Sequence, residues 1–134
     1  MLIVWEPQYS VGVAEIDNQH QRLIDLINEL HDAMKQAKGA AMIGRTLEGL
    51  VDYVSTHFAY EEGRLRELDY PELAAHSRIH QAFTRQVADF QTRYKSGKEI
   101  ITLDMLDFLK KWLVDHIMGA DKKYTAFLNS KGVY

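Results

Sequence analysis

His57-Phe58-Ala59-Tyr60-Glu61 is the stretch on which the reading of this chain turns. Its histidine and glutamate are four positions apart. Four steps of an α-helix turn about 400°, so both side chains leave one face, one turn apart. Ile43, Leu47, Leu50 and Val54 recur before them at steps of three and four, and Leu65 continues the series beyond Glu61. A polar pair therefore stands on the stripe that apolar residues otherwise occupy. The spacing predicts a helix from about Met42 to Leu68.

Working outward, Asp69-Tyr70-Pro71 is a turn, with Pro71 placed for the first position of a further helix. That helix is predicted from about Pro71 to Lys95, on the stripe Leu73, His76, His80, Phe83, Val87, Phe90 and Tyr94. On the other side, His20, Leu23, Ile27, Leu30 and Met34 predict a helix from about Asp17 to Lys38. Asp17 is its expected N-cap, Ile16 a staple, and Gly39 its stop. Leu106, Leu109, Leu113 and His116 predict a fourth helix from about Thr102 to Ile117, and Asp121, Tyr124 and Leu128 a short last one from about Ala120 to Leu128. Residues 1–16, interrupted by Pro7 and Gly12, read as an irregular arm whose Trp5, Tyr9, Val11 and Val13 cover core. The expected fold is all-α: one domain, residues 1–134, an antiparallel up-down-up-down four-helix bundle with an N-terminal arm and a short C-terminal helix.

Composition agrees with one domain. The chain has 134 residues, 46% hydrophobic and 26% charged, enough for a real core. Its 16 Lys and Arg are scattered and the formal charge is -3, so no basic footprint for nucleic acid is present. Absence of cysteine excludes disulfides, thiolate metal sites and cysteine nucleophiles. Without a signal peptide or an apolar run of membrane length, the expectation is a cytoplasmic protein, monomeric, with no membrane partner.

Five of the six histidines fall on apolar stripes, as do Glu61 and Asp121. Each has a bland reading. A lone stripe histidine is more often a hydrogen-bonded core residue than a ligand. His57 with Glu61 reads equally as an i,i+4 hydrogen-bonded pair, and Asp121 alone reads first as a helix cap. His76 with His80 is harder to explain that way, since two imidazoles on one buried face offer each other little. Topology then couples them. His20 is near the start of helix one, His57 and Glu61 near the end of helix two, His76 and His80 near the start of helix three, and His116 at the end of helix four. In an antiparallel bundle all four places lie at one end. A buried carboxylate without a partner costs several kcal/mol or takes up a proton, so two of them among imidazoles call for a shared positive charge. His31 is the control: it lies about 16 Å further along helix one than His20 and cannot reach that end. His116 and Asp121 pose a further condition. Five steps of a continuous helix turn about 500°, leaving the two about 140° apart. They share a site only if the helix breaks between Met118 and Ala120, where Gly119 is the weakest helix former.

Five imidazoles and two carboxylates exceed one tetrahedral zinc and suffice for two ions with the carboxylates bridging. The set is too rich in nitrogen for calcium or magnesium. It suits iron, ahead of manganese or zinc. If a solvent oxygen also bridges, the donors fall one short of two six-coordinate ions, and one position stays open.

The pattern His20, His57-x-x-x-Glu61, His76-x-x-x-His80, His116-x-x-x-x-Asp121 resembles the hemerythrin family in its bacterial single-domain form. The flanks Val11-Gly12-Val13, Asp17-Asn18-Gln19, Tyr70-Pro71 and Trp112-Leu113-Val114-Asp115 agree, and the likeness spans nearly the whole chain. It implies reversible O2 binding at a non-haem di-iron centre. His76, His80 and His116 would hold one iron, His20 and His57 the other, with Glu61, Asp121 and an oxo or hydroxo group bridging. The implied O2 pocket is Leu113, Trp112 and Phe58, with Tyr124 nearby. The expected role is an oxygen carrier, store or delivery protein and not an enzyme. Alternatives are an O2, redox or iron sensor module, or a di-iron enzyme handling peroxide or nitric oxide. Ferritin-like oxidases use Glu-x-x-His pairs, and Glu29-Leu30-His31 is not one.

Overall fold

The computed structural model describes residues 2–37, 39–97 and 102–134. Met1 and Lys38, which bound the expected arm and first helix, lie outside the described residues. Four long helices run in chain order: α1 Ala14–Lys35, α2 Ala40–Glu67, α3 Leu73–Lys95 and α4 Leu103–His116. A π turn, Ile117–Asp121, and a 3-10 turn, Lys122–Tyr124, carry α4 into a short α5, Thr125–Ser130. The helices pack as an antiparallel four-helix bundle with the arm across them, as the stripes predict. Leu23, Leu30, Leu47, Leu50, Leu65, Leu106 and Leu128 form the buried apolar seam.

Several predicted boundaries move, each for a visible reason. Asp17 is not an N-cap: α1 begins three residues earlier, with Val13 at that position. The Asp17 carboxylate instead turns back to the arm, accepting from the Val11 amide at 2.8 Å and from the Ser10 hydroxyl. Gly39 does not end α1, which stops at Lys35 with Ala37 in the left-handed region (φ 52). Gly39 is extended and precedes α2. Pro71 is not the first residue of α3. The end of α2 is closed by a wrap in which Tyr70 N donates to Leu65 O and Asp69 N to Arg66 O, with Asp69 at φ 56. This six-to-one closure spends Tyr70 and Pro71 on the turn, so α3 starts at Leu73.

The expected break after His116 is a widening. A π turn closes its hydrogen bonds from i to i+5, so residue i+5 returns beneath residue i. That brings Asp121 under His116 without interrupting the helix. Gly119 is not required for it: a Cβ there would meet nothing within 4 Å.

The arm is tied at two places. Ile3 lies against α1, its amide donating to Asn28 Oδ1 at 2.9 Å and its carbonyl accepting from Asn28 Nδ2 at 2.8 Å. Further on, Val11 O accepts from the Thr125 hydroxyl at 2.6 Å and Gly12 O from Asn129 Nδ2 at 3.1 Å. Gly12 has φ 72, and a Cβ on it would lie 2.8 Å from Thr125 Cγ2, so this crossing needs glycine.

Candidate metal centre

The seven predicted side chains meet. His20, His57, Glu61, His76, His80, His116 and Asp121 are all buried at one end of the bundle, and Glu61 and Asp121 have no exposed surface. Their donor atoms form two groups, each within 4.8 Å: Glu61, His76, His80, His116 and Asp121 in one; His20, His57, Glu61 and Asp121 in the other. Both carboxylates belong to both groups. His31 belongs to neither.

The separations are those of ligands around a shared cation. Asp121 Oδ1 is 3.1 Å from His116 Nε2 and 3.2 Å from His76 Nε2. Glu61 Oε1 is 3.3 Å from His80 Nε2, and Asp121 Oδ2 is 3.2 Å from His20 Nε2. Adjacent donors of an octahedron with bonds of about 2.1 Å are about 3.0 Å apart. His80 Nε2 and His116 Nε2 face each other at 3.0 Å, a pairing that a cation between them would explain. Both His20 nitrogens and both Asp121 oxygens are buried without a hydrogen-bond partner. Orphans of this kind are costly unless something else satisfies them.

Two imidazoles are aimed by groups behind them. Gln19 Oε1 accepts from His57 Nδ1 at 2.7 Å, and Glu62 Oε2 accepts from His80 Nδ1 at 3.0 Å. Each bond fixes the tautomer and leaves Nε2 bare toward the cluster. Glu62 is itself held by the Ser77 hydroxyl at 2.6 Å. Sequence reasoning missed Gln19, Glu62 and Ser77; the available signal was their place beside a ligand candidate, one helix position off the stripe.

Tyr124 is fully buried and donates to Glu61 Oε2 at 2.9 Å. Burial, with Asp121 and Glu61 close by, pushes its hydroxyl well above the ordinary range, so it stays a donor. Burial pulls the His57 imidazole down to about 4. It pulls on His76 too, but the Asp121 and Glu61 carboxylates beside the ring outweigh it and hold that imidazole up at about 9. A proton on His76 thus takes part of the compensating role when no metal is bound.

On the inward side the cluster is walled by aromatic rings. Phe58 stacks on His80 (centroids 3.7 Å, planes 3° apart) and Trp112 on His116 (4.6 Å, 13°). Phe83 stacks in turn on Trp112 at 3.7 Å. Phe58, Trp112 and Leu113, the predicted pocket residues, all line an apolar cavity of about 370 Å³ in the bundle interior.

A four-helix bundle holding two donor sets that share two carboxylates defines a class, the binuclear metal proteins of bundle fold. Residues 11–128 match the family model "Hemerythrin HHE cation binding domain". The chain belongs to the hemerythrin family. It is 38% identical to a bacteriohemerythrin of Stenotrophomonas maltophilia over 92% of this chain and 79% of that one. It is 32% identical to a bacteriohemerythrin of Methylococcus capsulatus over 96% of this chain and 98% of that one. A crystal structure of wild-type hemerythrin superposes with a TM-score of 0.90 at 32% identity, over 94% of this chain and 97% of that chain. The family binds a di-iron centre, and the imidazole and carboxylate donors here suit iron. Among the described residues no helix is long and apolar enough to cross a membrane.

Proposed function

We propose that this chain binds O2 reversibly at a di-iron centre, as a cytoplasmic carrier or store working as one domain. In this reading His76, His80 and His116 would hold one iron, His20 and His57 the other, and Glu61 and Asp121 would serve both. The observation that carries it is the overlap of the two donor groups in those two carboxylates alone. A ferrous pair held by these residues would supply the electrons that O2 binding draws on and that its release returns.

The chain's own residues make that reversible. Neutral imidazoles outnumber carboxylates, which favours the ferric state less than a carboxylate-rich set does. The two-histidine side is one donor poorer, which leaves room there for a small ligand. Phe58, Trp112 and Leu113 keep water and its protons away, so a bound gas is not driven off as a reduced product. Gln19 and Glu62 hold the His57 and His80 rings in place. Tyr124 fixes one oxygen of Glu61.

The test is optical. Reduced, anaerobic, iron-loaded protein should be nearly colourless, gain charge-transfer absorption on O2, and lose it under vacuum. Irreversible bleaching with product formation would replace carriage with catalysis. Absence of colour at any iron loading would end the reading.

A further inference from the structure

The cavity behind the metal centre is far larger than a diatomic ligand needs. At about 370 Å³ it exceeds by more than tenfold the roughly 30 Å³ that a molecule of water's size occupies. It is more than twice the roughly 150 Å³ apolar cavity known to take up benzene. All four helices line it, with Leu30, Leu50, Val54, Val87 and Leu109 among the walls. Packed interiors rarely carry such a void, and loss of contact along its walls is a standing cost.

The mouth says what kind of occupant fits. Its exposed lining lies on α3 and α4, where Phe108 is 50% exposed and Gln86, Asp89 and Arg93 are the polar residues. Arg93 pairs with Asp89 at 3.4 Å, so a charge of each sign stands at this rim. The Gln86 amide offers both a donor and an acceptor. A mostly carbon-lined pocket with a few polar groups at one end matches a ligand that is apolar along its length and polar, but uncharged, at one tip.

We infer that this cavity is a binding site for one neutral, medium-chain aliphatic molecule. The chain lies between α1, α2, α3 and α4 and the polar tip sits by Gln86. The site is separate from the metal cluster and shares with it the wall of Phe58, Phe83, Trp112 and Leu113. It does not rest on the O2 reading.

Calorimetric titration of the iron-loaded protein with straight-chain alcohols from six to fourteen carbons, each below its solubility limit, tests this. One saturable site is expected. Affinity should rise about three- to fourfold per added methylene, the factor that matches the transfer free energy of one CH2. The rise should stop near ten carbons, when the cavity is full. Val51→Phe and Val87→Phe, which fill the space from different helices, should each weaken decanol binding at least tenfold while iron content stays at the wild-type value. Two variants are used so that one misfolding protein does not decide the matter. No saturable heat would overturn the inference. So would affinity that climbs unchecked to fourteen carbons, as partitioning onto a surface would give, or filled variants that bind as well as wild type. Sedimentation of the same samples closes the remaining route: a dimer dissociated by the alcohol would mean that a second copy is the occupant.

Discussion

Glu61 and Leu50 lie on the same face of α2, eleven residues and about 16 Å apart. Both are buried, yet their surroundings differ in kind. Around Glu61 nearly every neighbour is polar and each is fixed by another: His76, His80 and Tyr124 touch the carboxylate, and Glu62 and Gln19 hold the rings behind it. Around Leu50 the neighbours are carbon, and space is left over. One end of the bundle is specified atom by atom. The other needs only to be apolar. A core built by the second rule tolerates exchange, whereas one built by the first fails when a single group goes.

The largest expected effect is therefore at Glu61. Glu61→Ala removes one of two shared carboxylates and leaves His76 and Tyr124 without their hydrogen-bond acceptor, so iron should fall below two per chain. Full loading by elemental analysis would show that the tightly specified end is more forgiving than its geometry suggests. Leu113→Asn keeps the cluster and breaches its dry wall. Decay of the oxygenated form should speed up on the order of tenfold in a stopped-flow trace, and an unchanged rate would remove Leu113 from the barrier.

A matched pair of deletions compares the ends directly. Leu65, fully buried and away from the cavity, should cost about 4 kcal/mol on change to alanine. Leu50→Ala, beside space that already exists, should cost about 2 to 3 kcal/mol because fewer contacts are lost. Urea unfolding of both variants in one metal state gives the difference, and equal costs would mean that the two ends are packed alike.

The smallest effect is in the iron-free protein. His57, held down at about 4 when folded, gives stability above its unfolded value of 6.5 that is lost as pH falls toward 4. His76, held up at about 9, gives stability that is complete below 6.5 and lost as pH rises through 9. Stability of the iron-free protein should peak near pH 6.5. Iron displaces the His76 proton, so the alkaline decline should vanish on loading. A melting series over pH, with and without iron, reads both limbs.

What the sequence disclosed follows the same division. The donors were legible because a polar residue on an apolar stripe breaks a pattern, and His57/Glu61 and His76/His80 break it twice at one spacing. The bundle was legible from the stripes themselves. The joint after His116 was only half legible. Its five-residue step demanded some irregularity, but a glycine break and a π turn meet that demand equally, and only geometry tells them apart. Gln19 and Glu62 escaped notice because polar residues off the stripe look like solvated surface. The cavity could not have been seen at all, since periodicity records which side chains face inward and not how well they fill the space.

Asp121 belongs to both donor groups, yet it lies in the last tenth of the chain, and the arm that covers α1 is fastened to Thr125 and Asn129 beyond it. A ribosome has made all five imidazoles and Glu61 before it makes this residue. The shared cradle is thus complete only when the turn that carries Asp121 has packed against the arm.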